Sequence, residues 1–240
     1  MVPRAVAASG SPSQGLPEGT VLQATGLEKR YGSGLPFDRD VEVLTGADIE
    51  LAAGEVVGIV GENGSGKSTL MQILVGALSA DAGEVKRAGS VGWCPQEPLL
   101  YDRLTVTETF AVFGEAYGMD TDAVEAARDR LAETLGFEEY VDYRIDHLSG
   151  GNRQKVNLAI SVMHDPAILL LDEPYTGFDW ETYLSFWKLT ESLVDQGVAV
   201  AVISHLINER DRFDRVLELR EGRLSEQPAT EAPDADGVDR

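Results

Sequence analysis

The chain has 240 residues, 43% of them hydrophobic, enough to bury one large domain or a core with a sizeable subdomain. Acidic residues outnumber basic ones 41 to 20, giving a formal net charge of −21, and a surface this negative repels phosphate backbones and argues against a general nucleic-acid role. Cys94 is the only cysteine, which rules out an internal disulfide, and no apolar run approaches the roughly 18 residues that span a bilayer.

In chain order, residues 1–19 read as a flexible tail rich in Gly, Pro, Ser and Ala, without the unbroken apolar core of a signal peptide. One folded unit is expected over 20–224. From Val21 to Val60 the pattern reads as strands: Ala47–Leu51 alternates, Ala53-Gly54-Glu55 makes a turn, and Val56–Val60 is a continuous apolar run expected to be buried on both faces. Lys67–Leu78 reads as a helix. Helices are expected next at Thr105–Tyr117, at Asp120–Leu135 and at Ser149–Met163; in the second, Val124, Ala127, Leu131 and Leu135 keep helical spacing. After Pro166, strands (Ile168–Leu171, Val198–Ser204, Val216–Leu219) alternate with helices (Trp180–Val194, Leu206–Asp211). Such alternation around a helical insert at about 98–164 predicts an α/β core with a second, helical lobe. Residues 225–240, acidic and poor in large apolar side chains, read as a second flexible tail.

Three motifs carry chemistry. Gly61-Glu62-Asn63-Gly64-Ser65-Gly66-Lys67-Ser68-Thr69 fits G-x-x-x-x-G-K-[ST] between a buried strand and a helix. Its glycines let backbone N–H groups curl round phosphates, and the helix N-terminus adds partial positive charge. Lys67 is placed to reach the β- and γ-phosphates and Ser68 to ligate Mg²⁺. Ile168–Leu171 leads into Asp172-Glu173. A strand next to the phosphate loop would deliver Asp172 to Mg²⁺ through a water and leave Glu173 to polarise the attacking water. Leu148-Ser149-Gly150-Gly151-Asn152 opens a helix that Ser149 can cap, with glycines that allow close approach to an anion.

In this order the motifs resemble the nucleotide-binding subunit of an ATP-binding cassette (ABC) transporter, over roughly Val21 to Leu224. The resemblance implies a P-loop NTPase fold: a RecA-like core, an antiparallel β edge and an inserted helical subdomain. It implies ATP and Mg²⁺ as cofactors and ATP hydrolysis as the activity. It also implies a head-to-tail dimer with a second ATPase subunit, identical or different. In that dimer the phosphate loop of one chain faces Ser149, Gly150 and Gly151 of the other. Tyr31 matches the aromatic that stacks on adenine. Gln96 matches the glutamine that contacts Mg²⁺ or water and couples to the membrane subunit. Asp179 matches the D-loop aspartate, and His205 the switch histidine that contacts the γ-phosphate. The implied partner is a separate integral membrane permease, which puts the chain at the cytoplasmic face of the cell membrane; no nucleic acid is expected.

Departures from the family pattern are Asn152 for the usual glutamine, Phe178 as a bulkier D-loop residue, a shortened stretch between Lys67 and Gln96, and an extension at Gly32 to Val41. The run Leu104–Glu108 with Phe113-Gly114 and Tyr117-Gly118 resembles exporter-type subunits. The alternatives are an importer subunit and a non-transport ABC-type ATPase of repair or translation. Repair proteins of this type carry a long coiled-coil insert, and the translation-associated ones usually hold two cassettes in one chain. Arg153 and Lys155 read as a solvated face with no catalytic role, His147 and His164 as structural, and Cys94 as a small buried filler. Acidic excess with only five lysines (29, 67, 86, 155 and 188) points to a salt-rich cytoplasm, where counter-ions screen self-repulsion; the alternative is an acidic protein of an ordinary organism with Arg-biased codons.

Overall fold

A computed structural model describes residues 15–32, 41–204 and 207–227, and only the backbone of 207–209. The expectations for His205, for residues 33–40 of the Gly32–Val41 extension and for most of both tails lie outside the described residues.

The apolar strands found in the sequence form the middle of a six-stranded sheet. Its members are β3 (Val56–Val60), β5 (Val91–Cys94), β6 (Ile168–Asp172), β7 (Ala199–Ile203), β8 (Arg215–Arg220) and β9 (Arg223–Glu226). The order is β5-β6-β7-β3-β8-β9, parallel except for the final β8–β9 hairpin. β6 and β7 are buried at every position, as strands covered on both faces must be. Side chains alternate across the sheet, so each strand feeds two cores. Leu169, Leu171, Val200 and Val202 join one cluster, and Ile168, Leu170, Ala199, Ala201 and Ile203 the other.

The second cluster is closed by α1 (Lys67–Val75) and by an antiparallel sheet of β1 (Thr20–Tyr31), β2 (Val41–Ala52) and β4 (Ala82–Arg87), in the order β2-β1-β4. The first is closed by α2 (Val106–Tyr117), α3 (Thr121–Leu135), α4 (Gly150–Val162) and α5 (Trp180–Asp195). Among the described residues no helix is long and apolar enough to cross a membrane.

Each of α2 to α5 begins one residue after, or at, the position expected from the sequence, because a polar residue caps it. Thr105 and Glu108 form a reciprocal capping box, Asp120 caps α3, Ser149 caps α4 and Asp179 caps α5. α1 stops at Val75 rather than Leu78, since Gly76 takes a left-handed conformation (φ 85°) and turns the chain. β4 and β5 occupy the short stretch before Gln96, where no strand is expected from the sequence. β9 carries regular structure to Glu226, two residues past Leu224.

One expectation is corrected. The strand that delivers Asp172 is not next to the strand of the phosphate loop: β7 lies between β6 and β3. Local pattern holds no information about sheet order, which the packing of distant segments decides.

Arg87, at the end of β4, closes the last turn of α1. Its Nε donates to the Leu74 carbonyl at 2.6 Å and its Nη2 to the Ile73 carbonyl at 3.0 Å. A cation at a helix C-terminus also opposes the dipole favourably. Replacing Arg87 by Ala is expected to lower the unfolding free energy by about 2 kcal/mol, the scale of charge-assisted hydrogen bonds. A urea melt measures it; an unchanged midpoint would show that water replaces Arg87 at no cost.

Candidate functional site

Strand register levels three chain segments at one edge. Ile59 lies beside Ile203, and Ile203 beside Asp172. β5 ends one step earlier, with Cys94 beside Leu171. From this carboxyl edge leave residues 61–66 after β3, Pro95 and Gln96 after β5, Glu173 after β6 and Ser204 after β7. The carboxyl edge of a parallel sheet is where α/β folds hold ligands.

The loop after β3 needs its glycines. Gly61 (φ 153°) runs against β8, where a Cβ would meet the Leu219 carbonyl oxygen at 2.6 Å; at Gly66 (φ 103°) a Cβ would meet Val43 Cγ1 at 2.6 Å. Glu62, Asn63 and Gly64 are exposed, and Ser65 closes a turn through its N–H on the Glu62 carbonyl at 3.1 Å. Lys67 is 7% exposed and its Nζ donates to the Gly61 and Glu62 carbonyls at 2.8 and 2.9 Å, so its ammonium is held inside the loop. Ser65 Oγ is buried without a hydrogen-bond partner among the described residues.

Of the five α-helices among the described residues, α1 alone has no side-chain cap, and it has no acidic residue in its first turn. Its first N–H groups and partial positive charge, beside the Lys67 ammonium, suit an anion. Ser68 and Thr69 lie in that turn, with Ser68 exposed. Tyr31, 44% exposed at the end of β1, brings its hydroxyl within 3.4 Å of Thr69 Oγ1. The uncapped helix, the orphaned Ser65 hydroxyl and the buried lysine fit a polyphosphate.

Asp172 is 4% exposed at the end of β6. Glu173 follows with φ 49°, a left-handed conformation that costs a non-glycine residue about 1 kcal/mol or more. Its N–H bonds to the Ile203 carbonyl at 3.2 Å, and Gln96 Nε2 donates to Glu173 Oε2 at 3.0 Å. Gln96 and Glu173 therefore meet. Tyr175 donates to Ser204 Oγ at 2.5 Å, fixing the end of β7 just before His205. Neither Tyr175 nor Ser204 is singled out by the sequence, because a lone Tyr and a lone Ser carry no motif. Among the described residues no cluster of three His, Cys, Asp or Glu side chains is placed to hold a metal ion. The oxygen-bearing side chains of Ser68, Asp172 and Gln96 are of the hard type that Mg²⁺ takes beside phosphate oxygens and waters.

Ser149 Oγ accepts from the Asn152 N–H at 3.2 Å at the start of α4. Among the described residues no hydrogen bond or ion pair joins 149–152 to 61–69. Gly151 instead lies on the loop before α5: a Cβ there would stand 2.8 Å from the Gly177 carbonyl oxygen. Gly150 meets nothing. Phe178 is half-buried against the helical-side core. Asp179 Oδ1 accepts the Thr182 N–H at 2.8 Å, which holds its carboxyl below the usual range. The solvated-face reading of Lys155 is corrected: it is 9% exposed and its Nζ donates to the Gly136 carbonyl at 3.1 Å. Arg153 is half-buried and pairs with Asp102 at 2.8 Å. Cys94 is buried, and burial, with a smaller push from the Asp172 carboxylate, raises its thiol far above the ordinary range. His164 stacks on Tyr117 at 3.8 Å between ring centroids.

The family model described as ABC transporter matches residues 44–176. The chain belongs to the ABC transporter family. It is similar to the Nod factor export ATP-binding protein I of Burkholderia lata, 33% identical over 219 residues, 86% of this chain and 70% of that one. It is also similar to ABC transporter G family member 20 of Dictyostelium discoideum, 32% identical over 202 residues. That match takes in 79% of this chain but only 28% of that protein. A solved ATP-binding cassette, dimeric and bound to ADP and Pi in a post-hydrolysis state, superposes with TM-score 0.78 at 24% identity, covering 86% of this chain and 97% of that one. The fold is thus that of the ABC ATPase cassettes, a P-loop core with an antiparallel sheet and a helical part.

In this ABC cassette Gly61→Ala is expected to cost about 2 kcal/mol of stability from the forced contact with Leu219. ATP should no longer raise its melting temperature. Thermal melting with and without ATP reads both effects; a variant that still gains stability from ATP would show that the close approach is dispensable.

Proposed function

We propose that the chain is the ATP-hydrolysing subunit of an ABC transporter, driving export through a separate integral membrane protein. The observation that carries the reading is the uncapped N-terminus of α1 with Lys67 drawn into the loop before it. In every other α-helix described an N-cap side chain takes one of the first N–H groups; here none is taken, and they are left for a ligand.

The residues divide the work by position. Loop N–H groups from Gly61 to Thr69 and the Lys67 ammonium hold the phosphates, and Tyr31 faces adenine. Ser68, Asp172 and Gln96 would hold Mg²⁺, which when bound would offset negative charge on the phosphates. Glu173, fixed by Gln96, accepts a proton from the attacking water, and His205 contacts the γ-phosphate. Ser149, Gly150 and Gly151 complete the site of a second subunit, with Asp179 beside them. The dimeric state of the similar cassette supports two shared sites. The export direction is supported by the name of the Burkholderia relative. This chain lies at the cytoplasmic face of the cell membrane and meets the membrane protein through its Gln96 side; nucleic acid is not a partner. The acidic surface with few lysines supports a salt-rich cytoplasm.

Glu173→Gln should bind ATP and accumulate as a dimer, with turnover lowered at least about 100-fold, the scale of a lost general base. Size-exclusion chromatography with ATP and a phosphate-release assay test it; normal turnover would overturn the role of Glu173. The melting temperature of the wild-type chain should rise steeply from dilute buffer to molar salt. Full stability in dilute buffer would contradict the salt reading.

A further inference from the structure

α4 is clamped to β5 by two independent features. Gly92 of β5 lies so close beneath the helix that a Cβ there would stand 2.0 Å from the Ser161 carbonyl oxygen. Asn157, about two turns into α4 and 4% exposed, points its Nδ2 at the end of the same strand. It donates to the Pro95 carbonyl at 2.9 Å and contacts Cys94 Sγ at 3.2 Å. Gln154 Nε2 lies 3.8 Å from the same sulfur. A buried amide is retained at a cost unless it is bonded; here the Nδ2 group goes to the weak acceptor Cys94 Sγ and to the carbonyl of one peptide group.

That peptide group joins Pro95 to Gln96. It is planar, and the proline ring fixes φ at 95, so holding the Pro95 oxygen sets the direction in which Gln96 leaves the strand. Gln96 in turn donates to Glu173. The other end of α4 begins at Ser149 and presses Gly151 on Gly177. We infer that Asn157 is a positioning residue: it latches the helix that begins at Ser149 to the Pro95–Gln96 peptide and thereby aims Gln96 at Glu173. The inference rests on the ATP-hydrolysing reading of the site.

Asn157→Leu keeps the branched shape and removes the donor; Asn157→Ala removes both. Either, if folded by its melting curve, should lose about tenfold in kcat for ATP with KM within about twofold, since a small misplacement of a catalytic group costs this much or more. In a Gln96→Ala background Asn157→Leu should cause no further loss, because the latch acts through Gln96. Unchanged kcat in folded Asn157→Leu, or a full additional loss on top of Gln96→Ala, overturns the proposal. Failure of both variants to fold also overturns it, by making Asn157 a folding residue. A wild-type chain with no ATP turnover would sink the functional reading instead. The latch would then be judged by amide hydrogen exchange at residues 94–97, expected to quicken in Asn157→Leu, with unchanged exchange contradicting it.

Discussion

The alignment of β3, β7 and β6 is the constraint on which the site depends. These three strands are parallel, buried, and in a register that sets Ile59, Ile203 and Asp172 side by side. A slip of one residue in any of them would turn its core-facing side chains to the wrong cluster, so the two hydrophobic cores themselves enforce the register. The phosphate loop, Glu173 and Ser204 then emerge at one level without any contact among them being needed to bring them together. β5, held beside β6, adds Pro95 and Gln96.

On this rigid edge the polar details are few and specific. Among the described residues Lys67 is bonded only to its own loop, which stores the ammonium where phosphate would replace carbonyl oxygen as its partner. Glu173 sits in a left-handed conformation, held by the Ile203 carbonyl and by Gln96. α4 reaches three parts of the site: its start meets Gly177 in the loop before α5, its middle holds Pro95, and its close approach to Gly92 keeps it on the sheet. A helix fixed in this way presents Ser149 and Gly150, both exposed, from an element whose later turns are buried in the core.

Much of this was legible in the sequence where the signal is local. Val56–Val60 reads as a buried strand because nothing polar interrupts it, and Ser149 marks a helix start because its side chain can reach the third N–H ahead; the caps at Thr105, Asp120 and Asp179 work in the same way but emerge only in the structure. The loop at Gly61–Thr69 is a motif in its proper context. What could not be read is non-local. β4, with Glu84 and Lys86 in six residues, becomes a strand only because β1 is there to pair with. The place of β7 between β3 and β6 follows from packing across more than a hundred residues. Lys155 looks solvated from its charge, yet its stem is buried and its tip finds the Gly136 carbonyl. Asn157 carries no motif at all; its meaning comes from the carbonyl it meets.

The central claim is that the loop at 61–69 and the glycines at 150–151 serve two different sites, each completed by a second subunit. The most direct measurement is ATP turnover per chain as the protein is diluted. The account predicts that turnover per chain falls with dilution, following the fraction of chains in dimers. Turnover per chain that stays constant down to concentrations where light scattering or sedimentation shows only monomer would contradict it.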